Sequence, residues 1–216
     1  MQLDLNQEEI AREVVKIVLE KQKQFKPIMI PVGISNRHVH LAEADVEKLF
    51  GSGHKLHVSK KLSQPGYYAA EETVTLVGPK GAVTKVRVLG PPRPNTQVEI
   101  LLSDRFILGI EEAPIRDSGT LGDCPCLTIV GPNGAITNCT AVFAAWRHIH
   151  MNSSQGKDLG IKDGDIFTVE INGDRSLVFN KVKVRLNENF ITEIHLDIDE
   201  ANAGNLKNGD LVRLVL

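Results

Sequence analysis

Cysteine is scarce in this 216-residue chain, and aromatic residues make up only 5% of it. The three cysteines, Cys124, Cys126 and Cys139, form a small, odd set. That argues against a disulfide framework and for a reducing compartment. No stretch reaches the ~18 apolar residues of a membrane span. The first residues are acidic rather than basic-then-apolar, so they do not read as a secretory signal. Neither sign of charge dominates: 25 Lys and Arg stand against 27 Asp and Glu. Nucleic-acid-binding proteins usually carry a clear basic excess, so that class is disfavoured, while a local basic pocket for a phosphate-bearing ligand stays open. There is no G-x-x-x-x-G-K-[ST] loop, which disfavours a nucleotide hydrolase. There is no G-x-S-x-G elbow to supply a serine nucleophile either.

What is present is an ordinary globular composition, 42% hydrophobic and 24% charged, enough for one large or two small domains. Residues 1–26 read as an amphipathic helix. Asn6 can cap it, Glu8 and Glu9 fall in its first turn, and Lys21, Lys23 and Lys26 suit its C-terminal end. Ile10, Val14, Val15, Ile17, Val18 and Leu19 give it one apolar stripe, which could pack on its own chain, on a dimer partner or on another protein. Beyond Pro31 the pattern changes to short β-branched runs at 74–77, 83–89, 97–102, 127–130, 166–171, 181–186, 190–198 and 211–216. Turn sequences separate them at 78–81, 131–134 and 172–174. Helix signals are few and short, as at 43–50. The expected fold is mainly β: two β-barrel units with short helical caps. The expected division is 27–125 and 126–216, with the option that C-terminal strands return to the first unit.

The chain repeats itself. Thr75-Leu-Val-Gly-Pro-Lys-Gly-Ala-Val83 matches Thr128-Ile-Val-Gly-Pro-Asn-Gly-Ala-Ile136, and Arg37-His-Val-His40 matches Arg147-His-Ile-His150. Gly-Asp turns recur at Gly164-Asp165 and Gly209-Asp210. The order of the pieces differs between the halves, so a simple tandem duplication does not fit. The repeats suggest two related units meeting across a cleft.

Four of the seven histidines lie in the two His-x-His pairs. Residues i and i+2 of a strand point to one face, so His38 with His40, and His148 with His150, can each share a metal ion. Glu99 and His195 are candidates for a third ligand, and spacing assigns neither to a particular pair. Imidazole with an occasional carboxylate favours zinc, and three protein ligands leave the open position of a catalytic site. His54 and His57 read as surface or helix-end residues.

These residues fall within a longer resemblance. Gly33-Ile-Ser-Asn-Arg-His-Val-His-Leu41, Leu62-Ser-Gln-Pro-Gly66, Leu89-Gly-Pro-Pro-Arg93, Thr96-Gln-Val-Glu99, Pro114-Ile-Arg-Asp-Ser-Gly119, Arg147-His-Ile-His-Met151 and Asp199-Glu-Ala-Asn-Ala203 follow one another as in the PduL-type phosphotransacylases, which the chain resembles over about residues 30–216. The resemblance implies two β-barrels with the active site between them and two zinc ions. One ion would be held by His38, His40 and Glu99, the other by His148, His150 and His195. Arg93 would be the catalytic arginine. Coenzyme A would touch Ser35, Lys60 (with Lys61 beside it), Arg87, Leu89, His195 and Asn202. The implied reaction is reversible transfer of a propionyl or acetyl group between coenzyme A and inorganic phosphate. A zinc-dependent thioester hydrolase and a non-catalytic metal-binding β-barrel are the alternatives. A bacterial cytoplasmic homodimer is expected, or residence in a bacterial microcompartment with the N-terminal helix docked on shell or core proteins.

Overall fold

A computed structural model describes residues 7–24 and 27–215, with the backbone alone for 17–24. In chain order the elements are α1 (Gln7–Gln24), β1 (Ile28–Ser35), β2 (His38–Ala42), α2 (Glu43–Phe50), β3 (Val58–Lys61), β4 (Tyr68–Val77), β5 (Ala82–Arg93), β6 (Gln97–Glu99), α3 (Asp104–Leu108) and β7 (Ile115–Arg116). Then follow β8 (Leu127–Val130), β9 (Ala135–Asn138), β10 (Val142–Ala145), β11 (His148–Asn152), α4 (Ser153–Leu159), β12 (Ile166–Ile171), β13 (Leu177–Asn187), β14 (Glu193–Asp197), α5 (Ile198–Ala203) and β15 (Leu211–Val215). The expected Asn6 cap and Lys26 lie outside the described residues, as do the side chains of Ile17, Val18, Leu19, Lys21 and Lys23. Of the apolar stripe on α1, the described Ile10, Val14 and Val15 are exposed.

The class is mainly β, with short helices as caps. Six strands close a barrel in the order β1-β14-β11-β13-β12-β15, and a nine-stranded curled sheet runs β7-β10-β6-β2-β5-β4-β8-β9 with β3 on β4. The sheets do not follow a division at residue 125/126. β8, β9 and β10 complete the first sheet, and β1, at the opposite end of the chain, closes the second barrel. β1 runs parallel to β14 (Val32 opposite Ile194) and antiparallel to β15 (Ile30 opposite Val212). The C-terminal strands stay in that barrel, and the N-terminal strand comes to them. Closure leaves no strand edge unpaired, and it buries Ile30 and Val32 against Ile149, Val169, Val184 and Leu196. The first sheet encloses a separate core around Val39, Leu41, Leu49, Leu76, Val88 and Ile129.

Two predicted strands stop early, and each does so where a short helix is anchored. The run at 97–102 ends at Glu99, and Leu101 N–H then donates to the Asp104 carboxylate at 2.9 Å. The run at 190–198 is a strand only over Glu193–Asp197, where Asp197 caps α5 in a reciprocal capping box with Glu200.

The repeats have a different meaning from the one expected. Both Gly-Pro-x-Gly turns lie in the first sheet, one between β4 and β5 and one between β8 and β9. Lys80 N–H meets the Leu108 carbonyl at the end of α3, and Asn133 N–H meets the Leu49 carbonyl in α2. Both Gly-Asp turns lie in the second barrel. Gly164 N–H donates to Val184 on β13, and Gly209 N–H to Val32 on β1, at 2.9 and 2.8 Å. Two of the three repeats are therefore pseudosymmetry inside a unit, with β1 standing where β13 stands. The Arg-His-x-His pair alone relates the two units.

The cysteines also depart from expectation. Cys126 and Cys139 form a disulfide. Leu127 pairs with Asn138 at the open end of the β8–β9 hairpin, so the next residues outward face each other. A count of cysteines cannot register that geometry. Cys124 is free, and its sulfur accepts the Val142 N–H.

Candidate active site

Each His-x-His segment is buried on both faces. On β2, Val39 and Leu41 enter the core of the first sheet, which turns His38 and His40 to the opposite face. On β11, Ile149 and Met151 do the same in the second barrel, turning out His148 and His150. The pleat thus fixes the direction of all four imidazoles. Pairing supplies the third member: His38 stands opposite Glu99 on β6, and His148 opposite His195 on β14. The ligand-capable atoms of His38, His40 and Glu99 lie within 4.8 Å of one another, as do those of His148, His150 and His195.

Both clusters fit a metal ion by the chemistry of their donors. The Nδ1 atoms of His38 and His148 meet the carbonyls of Asn36 and Trp146 at 2.8 and 2.7 Å. Nδ1 therefore carries the proton and Nε2 keeps its lone pair, the arrangement that orients a metal-ligating histidine. In the second cluster, Nε2 of His148 faces Nε2 of His150 at 3.1 Å. Burial, with the charges of the neighbouring histidines and Arg185, pushes His148 down to about 4 and His150 to about 2. Two lone pairs then converge at neutral pH, which suits a shared cation. In the first cluster, His38 Nε2 lies 3.3 Å from Glu99. Burial lowers His38, but the charge and hydrogen bond of Glu99 outweigh it and raise it above its ordinary value. Burial raises Glu99, yet His38, His40 and Ser118 hold it well below the carboxylate range. The pair thus favours a positive charge between its atoms. Nδ1 of His150 is buried without a hydrogen-bond partner among the described residues.

Arg93 ends β5 beside the first cluster. It donates to Ser118 Oγ at 2.9 Å, and its guanidinium lies 5.9 Å from the Tyr67 ring. Ser118 Oγ donates in turn to Glu99 at 2.7 Å, and Gln97 Nε2 reaches both Glu99 and Ser118. One serine therefore ties the arginine to the carboxylate. Arg185, opposite His150 in the β11–β13 register, bears electrostatically on Arg93, His148 and His150. The two guanidiniums bring fixed positive charge to this region.

The remaining predicted residues flank it. Leu89 and Arg87 pair with His40 and His38 across β2–β5, and Arg87 is pinned to the carbonyls of Ala70 and Glu71 at 2.8 Å. Ser35 ends β1 with its hydroxyl 3.4 Å from the Leu196 carbonyl. Lys60, on β3, and Asn202, on α5, are exposed. Gly33 lies under the Glu193 carboxylate; a Cβ there would come within 2.6 Å of it. Glu193 accepts from Ser63 of the first unit and sits 2.7 Å from Nε2 of His195, and Gln64 bonds both backbone groups of Ile191. Sequence reading did not assign roles to Ser118, Gln97, Arg185, Glu193, Ser63 or Gln64. Ser118, Gln97, Ser63 and Gln64 sit inside the quoted motifs, but only the tertiary structure shows what they touch.

Each arginine preceding a histidine pair is anchored to an acid in a short helix: Arg37 to Asp104 at 2.8 Å, and Arg147 to Glu200 at 2.6 Å. Burial pushes the Glu200 carboxyl up to about 7, against the opposing pull of Arg147. Because the folded value exceeds the unfolded one, this stability is fully present below about 4.5 and is lost as pH rises through about 7. Urea unfolding at pH 5 and pH 8 should show wild type losing more stability than Glu200→Gln, which keeps a capping-box side chain. Equal losses would refute this.

Among the described residues, no helix is long and apolar enough to cross a membrane. The family profile for phosphate propanoyltransferase matches residues 31–207. A phosphate propanoyltransferase of Rhodopseudomonas palustris is 45% identical over 98% of this chain and 99% of its own length. One from Thermotoga maritima is 53% identical over 86% of this chain and 89% of its own. One from Salmonella typhimurium is 45% identical over 93% of each. With these likenesses spanning both units and every residue of the two histidine clusters, the chain belongs to the phosphate propanoyltransferase family.

Proposed function

We propose that this protein reversibly transfers a short acyl group, propionyl or acetyl, from coenzyme A to inorganic phosphate. The observation that carries this reading is the convergence of Arg93 and Arg185 on two largely buried histidine clusters. Such a site compensates the charge of phosphate beside an electrophilic carbonyl. The names of the relatives support propionyl. His38, His40 and Glu99 would hold one zinc ion, and His148, His150 and His195 a second. Bound there, zinc would supply Lewis-acid charge compensation at phosphate and thioester oxygens.

Arg93 is proposed as the catalytic residue. Its fork would hold phosphate, and Ser118 keeps it aimed. Ser35, Lys60, Arg87, Leu89, His195 and Asn202 would line the path of coenzyme A, with Lys60 and Arg87 meeting its phosphates. A phosphate oxygen forms the new C–O bond, the C–S bond breaks with its electron pair going to sulfur, and the proton of hydrogen phosphate passes to that thiolate, which leaves as the free thiol. Attack is direct: neither histidine cluster contains a cysteine, and the free Cys124 is held by Val142 at the first sheet. The same reading places the protein in the bacterial cytoplasm as a homodimer. The exposed Ile10, Val14 and Val15 of α1 would dock on shell or core proteins of a microcompartment.

The test is to follow thiol release from propionyl-CoA and acetyl-CoA with and without phosphate, before and after chelation. Release should need both phosphate and metal. Release without phosphate would mean a thioester hydrolase. No release from metal-loaded protein would leave a binding role. A chain lacking residues 1–26 should keep turnover and lose co-sedimentation with shell particles.

A further inference from the structure

We propose that His54, His57 and Glu72 form a third divalent-metal site, of zinc-binding chemistry, which staples the α2–β3 connection to β4. It is built from none of the residues of the two central clusters, and its ligand-capable atoms also lie within 4.8 Å of one another.

Glu72 is the anomaly that draws attention to the place. Alternate residues of β4, Ala70, Val74 and Leu76, belong to the core of the first sheet, and Glu72 is buried in the same row. A carboxylate in an apolar row is costly unless it is compensated. The connection after α2 brings the compensation. His54 Nε2 and His57 Nδ1 both lie 2.8 Å from one oxygen of Glu72, and the His57 N–H reaches the carboxylate at 3.1 Å. Two imidazole nitrogens converging on one buried carboxylate oxygen make a two-histidine, one-carboxylate donor set, the same set as His38, His40 and Glu99.

The geometry needs little change to take an ion. Bonds of about 2.0–2.1 Å around a tetrahedral ion put ligand atoms about 3.3 Å apart, so the rings would swing outward slightly. His57 has room for this, since its side chain is 66% exposed. Its far nitrogen can carry the proton that the lone pair on Nδ1 requires, and its open side leaves a coordination position to water. His54 is more tightly placed. It stacks on Phe50 with ring centroids 5.2 Å apart, and the turn before it is held by Gly53 N–H donating to Glu47 at 3.1 Å. On the other side, Glu71 N–H donates to the His57 carbonyl at 2.8 Å. The donors are thus fixed to two elements that an ion would join.

The consequence falls on β3. This strand is exposed along its length, pairs among the described residues only with β4, and breaks register between Val58 and Lys60. An ion at His57, one residue before β3, braces the strand that carries Lys60.

The test counts ions. Full-length protein stripped by chelation is titrated with zinc alone, and bound zinc per chain is measured by equilibrium dialysis and elemental analysis. The His54→Ala/His57→Ala double variant should bind one ion fewer than wild type and keep wild-type kcat, with at most a raised KM for acyl-CoA through the loosened β3. The comparison is a difference, so it holds whatever number the central clusters take. Equal counts overturn the proposal, leaving Glu72 as a hydrogen-bonded carboxylate only. A loss of more than one ion, or of kcat at saturating acyl-CoA, also overturns it, because the cluster would not be separate. Glu72→Gln should lose the same ion. If that buried change or the double variant prevents folding, His57→Ala alone, at an exposed position, should still weaken binding of one ion, and unchanged binding would refute the site.

Discussion

Replacing Arg93 with alanine is expected to lower kcat for phosphate-dependent thiol release from propionyl-CoA by about 10²–10³-fold, or about 3–4 kcal/mol, as loss of one preorganised donor to developing negative charge does. Zinc content and the KM for acyl-CoA should change little. The expectation rests on how the side chain is held. Ser118 fixes one nitrogen at 2.9 Å, and the Tyr67 ring lies 5.9 Å from the guanidinium carbon. Burial, with Arg185 nearby, disfavours the charge of Arg93, while Glu99 favours it. Such a group is aimed before substrate arrives. Arg93→Lys should restore only part of the rate, because an ammonium is a point charge without the planar fork. Unchanged kcat would remove Arg93 from the chemistry. Loss of zinc together with rate would instead mean that it acts through Ser118 on Glu99.

His150→Ala should remove one equivalent of zinc and lower turnover by more than the 10–100-fold typical of losing a partner that merely orients a ligand. His150 is placed between His148, at 3.1 Å between Nε2 atoms, and His195, with ring centroids 4.5 Å apart. Its removal takes away the nitrogen that His148 faces. His40→Ala should behave alike, since the first cluster is built on the same strand-pair geometry. Elemental analysis and turnover on the same samples check both variants. Circular dichroism guards against misfolding, since the His150 ring also packs on Phe190. Full zinc content in His150→Ala would show that the second cluster does not need this histidine.

The contrast between the histidine pairs and their third members shows how far the sequence reaches. His38 with His40, and His148 with His150, were legible because a strand has period two, and because Val39, Leu41, Ile149 and Met151 mark the buried face. Spacing alone left Glu99 and His195 unassigned to a pair. Pairing across β2–β6 and β11–β14 sets Glu99 opposite His38 and His195 opposite His148. Glu72 shows the same limit from the other side. In the sequence it is one of two adjacent glutamates, and His54 and His57 read as surface residues. The β3–β4 pairing brings the three together.

By itself, the sequence determined the mainly-β class, most strand positions, the helix at 43–50 and the facing of each histidine pair. These depend on periodicity, turn chemistry and capping within a few residues. Tertiary structure alone decided that β1 closes the second barrel, that two of the repeats are internal to one unit, and that Cys126 meets Cys139. It also decided that Ser118 joins Arg93 to Glu99. Each of these joins segments far apart in the chain or across a hairpin. Such contacts are selected by burying both sheet faces and leaving no barrel edge unpaired, conditions that belong to the whole fold.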